Sequence, residues 1–274
     1  MFDQIAVTPH KTLTLDAEDL DYIASSGLRV LLKIAKIDKT LRIINTDLKV
    51  YNILEITGFS KIVNIEKKLR KIDLSKCTLL GAGGTGAVYR ITPEEIVKVN
   101  FNPATDSEMI EEKMKAQAAF VLGVPTAISF DTVDCGDGHK GVVYETIKSS
   151  TLGEMIEADP NHCEAMVKSY IKALRTINSI HTDNPLFPNA IDFYVDSVEK
   201  AKPFYTEEEI AMLKRLVDAM PHGDCLVHGD AHPKNLMIQG DESMWIDMAM
   251  VCVGRPIYDI ISLACMLFIS REDF

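Results

Sequence analysis

The chain has 274 residues, of which 47% are hydrophobic and 25% are charged, a balance typical of globular proteins with room for more than one domain. A formal net charge of −11 at pH 7 disfavours nucleic acid as a partner, and no apolar run is long enough to cross a bilayer. The N-terminal residues do not resemble a signal peptide, and the six cysteines form no C-x-x-C pair, so we expect a cytoplasmic protein without a zinc site or a disulfide framework.

Residues 1–70 predict a small α/β module with the element order β-α-β-α-β. Strand segments alternate in polarity, and helical segments repeat apolar residues at intervals of three and four. Short strands joined by helical crossovers favour a parallel sheet. The predicted strands are residues 11–16, 41–44 and 61–65, the predicted helices are residues 28–35 and 48–56, and Gly58 ends the second helix.

Residues 21–32, which read DYIASSGLRVLL, resemble the later part of STAS domains, the fold of anti-sigma factor antagonists. In that family the serine just before the glycine is a regulatory phosphorylation site, and it maps onto Ser26. A phosphate there would lie at a helix N-terminus, where free N–H groups and the helix dipole stabilise negative charge. The alternative is that the region Ser25–Gly27 only caps the helix. Ala24 stands where the family often has an acidic residue, and the opening strands and first helix of such a domain are missing.

A glycine-rich run follows, from residue 79 to residue 91. It could open a dinucleotide-binding helix, in which case Asp106 would lie near the position of a ribose-binding acid. Thr92-Pro93 would break that helix after one turn, and β-branched and aromatic residues favour a bend between two antiparallel strands. In that hairpin, glycine backbone closes over phosphates. The expected nucleotide-binding residues of the bend are Gly81, Gly83, Gly84, Thr85 and Gly86.

Lys98 lies in the next predicted strand, between apolar residues, where a lysine needs an anion. A carboxylate on the predicted helix 107–121 and the phosphates of a nucleotide would supply it. The run FVLGVP at residues 120–125 resembles a branch of the phosphotransferase family. Counted back from that run, Glu112 fits the family's spacing best, and Glu111 is the competitor. The alternative is an edge-strand lysine whose ammonium reaches solvent. After a last hairpin, residues 130–147, the backbone of Glu145 and Ile147 is expected to contact adenine.

The run from His228 to Asn235, HGDAHPKN, is followed by Trp245-Ile246-Asp247. A hairpin whose turn is Gly240–Glu242 would pair position 235 with position 247 and bring an amide and a carboxylate together. Such oxygen ligands suit Mg²⁺ beside a nucleotide, so Asn235 and Asp247 are the predicted metal ligands. Asp230, five residues before Asn235, could take a proton from an attacking hydroxyl.

Together, residues 81–98 and 228–247 resemble the aminoglycoside/choline phosphotransferases, which share the two-lobed, α+β fold of protein kinases. The resemblance implies ATP and Mg²⁺, with the γ-phosphate passing to a hydroxyl of a small molecule, and the acidic C-terminal half favours a cationic one. It also implies a nucleotide-binding lobe at residues 71–149 and a catalytic lobe at residues 150–274 that stops short of the family's last helices.

The resemblance extends to individual residues of the catalytic lobe. It implies that His232 positions the transferred phosphate, and that Asp259, in a G-x-P-x-Y-D segment, braces the catalytic loop. His228 is expected to hold the loop by hydrogen bonds. Ala249 stands where the family often has a second acidic residue. A second hypothesis is therefore a regulatory protein, in which an inactive lobe binds nucleotide and the STAS-like module binds an anti-sigma factor or a serine kinase.

Overall fold

The computed structural model describes residues 12–240 and 242–269, and the chain divides between Lys71 and Ile72 into two compact units. Within those ranges no helix is long and apolar enough to span a membrane. Each unit is described below by itself.

The first unit is a three-stranded parallel sheet with two crossover helices. Its elements follow the predicted β-α-β-α-β order, which the structure confirms, and its strands are adjacent in the order β1-β2-β3. A two-residue strand, β4 (Arg70–Lys71), comes last in the unit. The elements are β1 (Thr14–Asp16), α1 (Ser25–Ile37), β2 (Arg42–Thr46), α2 (Leu48–Ile56) and β3 (Asn64–Lys67).

The core of this unit lies between the sheet and the helices, where Ile34, Ile43 and Leu54 are buried. Gly58 follows α2 with a φ of 77°, a left-handed conformation that glycine adopts without strain. A 3₁₀ turn, Phe59–Lys61, comes next, so β3 begins later than the predicted residue 61. Lys11, the first residue of the predicted opening strand, lies outside the described residues.

The start of α1 differs from its prediction. The helix begins at Ser25, so Ala24 is the N-cap, and no side chain caps the helix. The predicted capping region, Ser25–Gly27, was therefore wrong, because all three residues already lie in the first turn. Ser26 is exposed there.

The second unit begins with an antiparallel sheet that carries one long helix. Five of its strands are adjacent in the order β8-β9-β7-β6-β5, and the helix α3 (Asp106–Val121) packs against β8 and β9. Valines 97, 99, 133 and 143 form the core on the sheet. The strands are β5 (Thr78–Ala82), β6 (Gly86–Arg90), β7 (Glu95–Asn100), β8 (Ser129–Asp134) and β9 (Lys140–Glu145).

The rest of the second unit is mainly helical, with two small sheets. Its largest core cluster surrounds Trp245, which is 1% exposed. The helices are α4 (Leu152–Ala158), α5 (Cys163–Asn178), α6 (Ala190–Ala201), α7 (Glu207–Asp218) and α8 (Ile257–Ile269). The strands are β10 (Ser150–Thr151), β11 (Cys225–Val227), β12 (Leu236–Gln239), β13 (Glu242–Trp245) and β14 (Cys252–Gly254).

The β12–β13 hairpin has a different register from the one predicted. Gln239 pairs with Glu242, so two residues connect the strands instead of three. Asn235 consequently lies opposite Ile246, whose N–H donates to the Asn235 carbonyl at 3.0 Å, and not opposite Asp247. The predicted pairing of 235 with 247 was wrong by one residue, because the turn is one residue shorter. Asp241, at the predicted centre, lies outside the described residues.

The glycine-rich run forms a bend between β5 and β6, so the alternative of a dinucleotide-binding helix was wrong. The N–H of Gly83 donates to the Gly86 carbonyl at 2.9 Å and closes the bend. A Cβ atom on Gly86 would lie 2.4 Å from the carbonyl oxygen of Val99 on β7, whereas one on Gly81 would meet nothing within 4 Å. Of these two glycines, only Gly86 is therefore required by close packing.

Gly86→Ala is expected to lower the free energy of unfolding of the second unit by about 1–3 kcal/mol, because β6 and β7 must separate to admit the methyl group. Gly81→Ala is the matched control and should change it by less than about 0.5 kcal/mol. The measurement is urea denaturation followed by the fluorescence of Trp245, the chain's single tryptophan. Equal effects of the two substitutions would contradict the argument.

Candidate functional site

A cleft of about 400 Å³ lies in the second unit beside β7, α3 and the end of the β12–β13 hairpin. Its polar walls include Lys98, Glu112, Asn235 and Asp247, residues that are far apart in the sequence. Apolar side chains form two further walls, and these are Leu80, Val88, Ile96, Met237 and Ile246. A flat apolar group fits between such walls, while charged groups fit at the polar end.

Lys98 is the centre of the polar end. Its Nζ lies 2.8 Å from Oε2 of Glu112 and 3.4 Å from Oδ1 of Asp247. Glu112 is buried, whereas the side chain of Asp247 is 47% exposed. One ammonium therefore joins a helix carboxylate to a carboxylate at the end of the hairpin. Glu111, the competing candidate, does not reach Lys98 and instead pairs with Lys115 at 3.1 Å.

The charges around Lys98 favour its protonated form. Burial alone would lower the pKa of this ammonium, but Glu112 and Asp247 outweigh burial and raise the pKa above its ordinary value. Burial raises the pKa of Glu112, with Lys98 and the Met248 backbone acting in the opposite direction. The ammonium is therefore held ready for anions that enter the cleft.

Asp230, Asn235 and His232 lie together on the loop that leads into β12. The Asn235 Nδ2 donates to Oδ2 of Asp230 and to its carbonyl oxygen, both at 3.0 Å. His232 Nε2 lies 3.6 Å from the same Oδ2, and its Nδ1 accepts from the Lys234 N–H at 3.2 Å. The carboxylate of Asp230 is thus held by the Asn235 amide, with the His232 imidazole near the same oxygen, and it stays partly exposed.

Two buried side chains hold this loop from beneath. Asp259 is 0% exposed and accepts from the backbone N–H groups of His228 and Gly229 at 3.1 and 2.9 Å. The His228 Nε2 lies 3.0 Å from the Ile246 carbonyl, and its Nδ1 accepts from the Asp230 N–H at 3.3 Å. These partners require a neutral imidazole protonated at Nε2. Burial lowers the pKa of His228 from 6.5, in agreement with that form.

Helix α5 contacts the same loop through Tyr170, in the middle of the helix, and the preceding strand β11 through Asn178, at its C-terminal end. The Tyr170 hydroxyl donates to the carbonyl oxygen of Ala231. The Asn178 Nδ2 donates to the Leu226 carbonyl and to Oδ2 of Asp259, both at 2.9 Å. Buried polar groups that are all paired fix a single backbone conformation. The loop is therefore fastened to the helix that underlies it.

The predicted metal ligands fit a hard cation by their chemistry. Asp247 has a φ of 58°, a left-handed conformation rare for a residue with a side chain, and its carboxylate is half-exposed in the cleft. The Nδ2 of Asn235 is engaged by Asp230, which leaves the amide oxygen as the group able to bind a cation. One carboxylate and one amide oxygen suit Mg²⁺, which takes its other ligands from water and phosphate.

Glu145 and Ile147 line the apolar part of the cleft. The side chain of Glu145 is engaged by the Ile128 N–H at 2.8 Å, so adenine contacts by its backbone stay a prediction. The bend residues Gly81, Gly83, Gly84, Thr85 and Gly86 are not among the residues lining the cleft, although Leu80 and Val88 on either side of them are. Their role over the phosphates also stays a prediction.

Sequence reasoning missed two residues of this region. Tyr144 lines the cleft beside Glu112, and its buried hydroxyl has no hydrogen-bond partner among the described residues. Lys115 is buried and donates to the Ala249 carbonyl at 3.0 Å. Lys115 lies one helical turn after Glu112, a spacing that places both on one face of α3. This spacing in the sequence could have indicated that Lys115 lies near the site.

Comparison with known proteins gives two family matches. Residues 76–273 match the model of the phosphotransferase enzyme family, and residues 1–72 match the model of the STAS domain. A search of the curated proteins gave no match.

Solved structures similar to this chain include several aminoglycoside phosphotransferases. A thermostable mutant of APH(4)-Ia in a ternary complex with ADP and hygromycin B is 14% identical with a TM-score of 0.53, covering 81% of this chain and 80% of that one. The ADP-bound APH(2'')-Ib is 17% identical with a TM-score of 0.50, covering 80% and 75%. At these identities the likeness shows the fold, which is that of the two-lobed protein kinases.

The lowered pKa of His228 predicts a pH-dependent stability. The unfolded chain binds a proton at this histidine more readily than the folded chain does. The contribution of His228 to the free energy of unfolding is therefore present above pH 6.5 and is lost as the pH falls towards the pKa of the folded state. The limiting slope is about 1.4 kcal/mol per pH unit. Urea denaturation at about pH 7.5 and 5.5 should show a smaller difference for His228→Gln than for the wild type. Equal differences would contradict the assignment.

Proposed function

The chain belongs to the phosphotransferase enzyme family, and from that membership we propose that it transfers the γ-phosphate of ATP to a hydroxyl group of a small molecule. The observation that carries this proposal is the convergence of Lys98, Glu112 and Asp247 in one cleft, with Asp230 hydrogen-bonded to Asn235 on the adjoining loop. These side chains supply positive charge, metal-binding oxygens and a proton acceptor, the groups that phosphoryl transfer requires.

The nucleotide would occupy the cleft between its apolar walls. The base would lie near the backbone of Glu145 and Ile147, and the α- and β-phosphates would contact Lys98. Glu112 would keep Lys98 directed towards them, and the bend formed by Gly81, Gly83, Gly84, Thr85 and Gly86 would close over the phosphates. The ADP bound to a protein of the same fold, APH(2'')-Ib, supports a nucleotide as the ligand.

Asp230 is the proposed catalytic base. The oxygen of the acceptor hydroxyl forms a bond to the γ-phosphorus, the bond between that phosphorus and the β,γ-bridging oxygen breaks, and ADP leaves with the electron pair. The hydroxyl proton passes to Asp230, which Asn235 and His232 orient. Positioning supplies much of the rate, because the reacting groups are already held together.

Asn235 and Asp247 are the residues that would hold Mg²⁺. The ion would neutralise negative charge on the phosphates. Ala249 offers no further carboxylate, and no cluster of three or more His, Cys, Asp or Glu side chains suited to a metal occurs among residues 12–240 and 242–269. Water and phosphate oxygens would therefore complete the coordination.

We place the nucleotide-binding lobe at residues 71–149 and the catalytic lobe, with the acceptor pocket, at residues 150–274. The excess of acidic residues in the C-terminal part would favour an acceptor that carries positive charge. Aminoglycosides, which are bound in the complexes of APH(4)-Ia with hygromycin B and of APH(2'')-IIa with gentamicin, combine hydroxyl groups with such charge. A screen of aminoglycosides, choline-like amines and sugars for ATP consumption would identify the acceptor.

Asp230→Asn should reduce turnover by at least about 100-fold, because the amide cannot accept the proton. ADP affinity should change by less than about threefold, since Asp230 does not line the nucleotide cleft. Coupled assays and calorimetry measure the two quantities with the acceptor found in the screen. Asp131→Asn, on the exposed face of β8, is the matched control and should leave both unchanged. Unchanged turnover in Asp230→Asn would refute the role of this residue.

A second candidate function is regulatory binding through the STAS-like module, and the exposure of Ser26 in the first turn of α1 favours it. The exposed hydroxyl of Ser26 would be accessible to a serine kinase. A phosphate added there would alter the surface that an anti-sigma factor contacts. If phosphate appears at Ser26 only with a partner kinase, and no small hydroxyl compound is consumed, this candidate replaces the first.

Ser26→Asp should stabilise α1 by about 0.3–1 kcal/mol, because a negative charge in the first turn interacts favourably with the helix dipole. Ser26→Asn, a neutral residue of the same shape, is the control and should not. Slower amide hydrogen exchange across Ser25–Ile37 in the aspartate variant alone is the expected reading. Equal exchange in the two variants would remove the electrostatic basis for a phosphate at this position.

A further inference from the structure

Lys115 is a buried cation that the proposed chemistry does not use. It is 5% exposed and is not among the residues that line the nucleotide cleft. Lysines in helices normally keep their ammonium in water, because removal from water destabilises the charged form. A buried lysine therefore indicates partners that stabilise it in place.

The partners of Lys115 lie on two different segments. Its Nζ donates to the carbonyl oxygen of Ala249 at 3.0 Å and lies 3.1 Å from Oε1 of Glu111. Glu111 is 58% exposed, and an ion pair with an exposed carboxylate contributes little. The contact with Ala249 is the less exposed of the two, and it joins α3 to a segment 134 residues further along the chain.

That segment follows directly on Asp247. Asp247 has the left-handed φ of 58°, and the 3₁₀ turn Met248–Met250 begins after it, with Met248 buried. A non-glycine residue in this conformation persists only where its surroundings hold it. The carbonyl that Lys115 binds lies two residues after Asp247, so this contact fixes the backbone from which the Asp247 carboxylate projects.

Glu112 and Lys115 therefore act on the two ends of one short segment. The Glu112 carboxylate accepts a hydrogen bond from the Met248 backbone. It also reaches Asp247 through Lys98, which lies 2.8 Å from one carboxylate and 3.4 Å from the other. Under the proposed function, phosphates would compete for Lys98, and that link would weaken when nucleotide binds. The link from Lys115 to the Ala249 backbone does not involve the cleft and would remain.

We propose that Lys115 is a positioning residue that holds the Ala249 carbonyl and thereby presents the carboxylate of Asp247 to the metal–nucleotide complex. The proposal rests on the proposed function, since it concerns the metal ligand of that site. The contact uses a main-chain oxygen, so it does not depend on which side chain stands at position 249.

The first test uses Lys115→Met without nucleotide. Amide hydrogen exchange of the segment 247–251 should become at least tenfold faster, while exchange in β11 and α5 stays within about twofold. Lys168→Met is the matched control, because Lys168 forms a similar Lys–Glu pair, at 2.7 Å to Glu164, on an exposed helix face. Glu111→Gln removes the exposed partner only and should leave the exchange of the segment unchanged.

The second test measures ADP affinity by calorimetry with and without Mg²⁺. The increase in ADP affinity that Mg²⁺ produces should be about tenfold smaller in Lys115→Met than in the wild type. The affinity for ADP without Mg²⁺ should stay within about twofold of the wild-type value. A general loss of structure would lower both affinities. Lys115→Arg, which keeps a charged donor, should restore most of the Mg²⁺-dependent part.

Three results would overturn the proposal. These are unchanged exchange of the segment 247–251, a uniform rise in exchange throughout the second unit, and an unchanged Mg²⁺ increment in Lys115→Met. If Lys115→Met does not fold, Lys115→Gln takes its place in both tests and is judged by the same results. A wild type without any Mg²⁺-dependent nucleotide binding would refute the proposed function instead, and the exchange measurements would then decide by themselves whether Lys115 holds the segment.

Discussion

The site of the second unit depends on a charge balance around one ammonium group. Lys98 on β7 interacts with Glu112 on α3 and with Asp247 after β13, so three elements that are distant in sequence meet at one cation. Removing the Lys98 ammonium would leave two carboxylates, one of them buried, without this counter-charge. Because α3 also packs on the segment Met248–Met250, the sheet, the helix and the hairpin end behave as one framework around the cleft.

A second constraint lies beneath the catalytic loop. The carboxylate of Asp259 is fully buried and accepts hydrogen bonds from His228, Gly229 and Asn178. Such a carboxylate substitutes for the water that the loop backbone would otherwise need. The imidazole of His228 adds a link to Ile246 and contacts the ring of Trp245, with centroids 4.7 Å apart. The carboxylate of Asp230 thus projects from a loop whose backbone is hydrogen-bonded to the buried side chains of Asp259 and His228.

Local patterns in the sequence predicted the parts of this structure that depend on local forces. The apolar spacing in α1 and the left-handed glycine at residue 58 follow from helix geometry and sterics, and Lys98 between apolar residues needed a partner within reach. The sequence did not predict the features that depend on tertiary contacts or on a one-residue difference in turn length. The β12–β13 turn is one residue shorter than predicted, and Ala24 precedes α1 without a cap. The partner of Lys115 is a backbone carbonyl, which leaves no trace in the sequence.

Helix α5 sets a fixed length for the catalytic loop. The Tyr170 hydroxyl binds the Ala231 carbonyl, and the Asn178 amide binds the Leu226 carbonyl. Tyr170 and Asn178 are eight residues apart in the helix, a rise of about 12 Å along its axis. The rigid helix therefore fixes the separation of the two hydrogen-bonded points. Adding or deleting one residue between Leu226 and Ala231 would break at least one of the two hydrogen bonds. In the β12–β13 turn, a Cβ atom on the described residue Gly240 would meet nothing within 4 Å. Insertions and deletions should therefore be tolerated better near Gly240 than between Leu226 and Ala231.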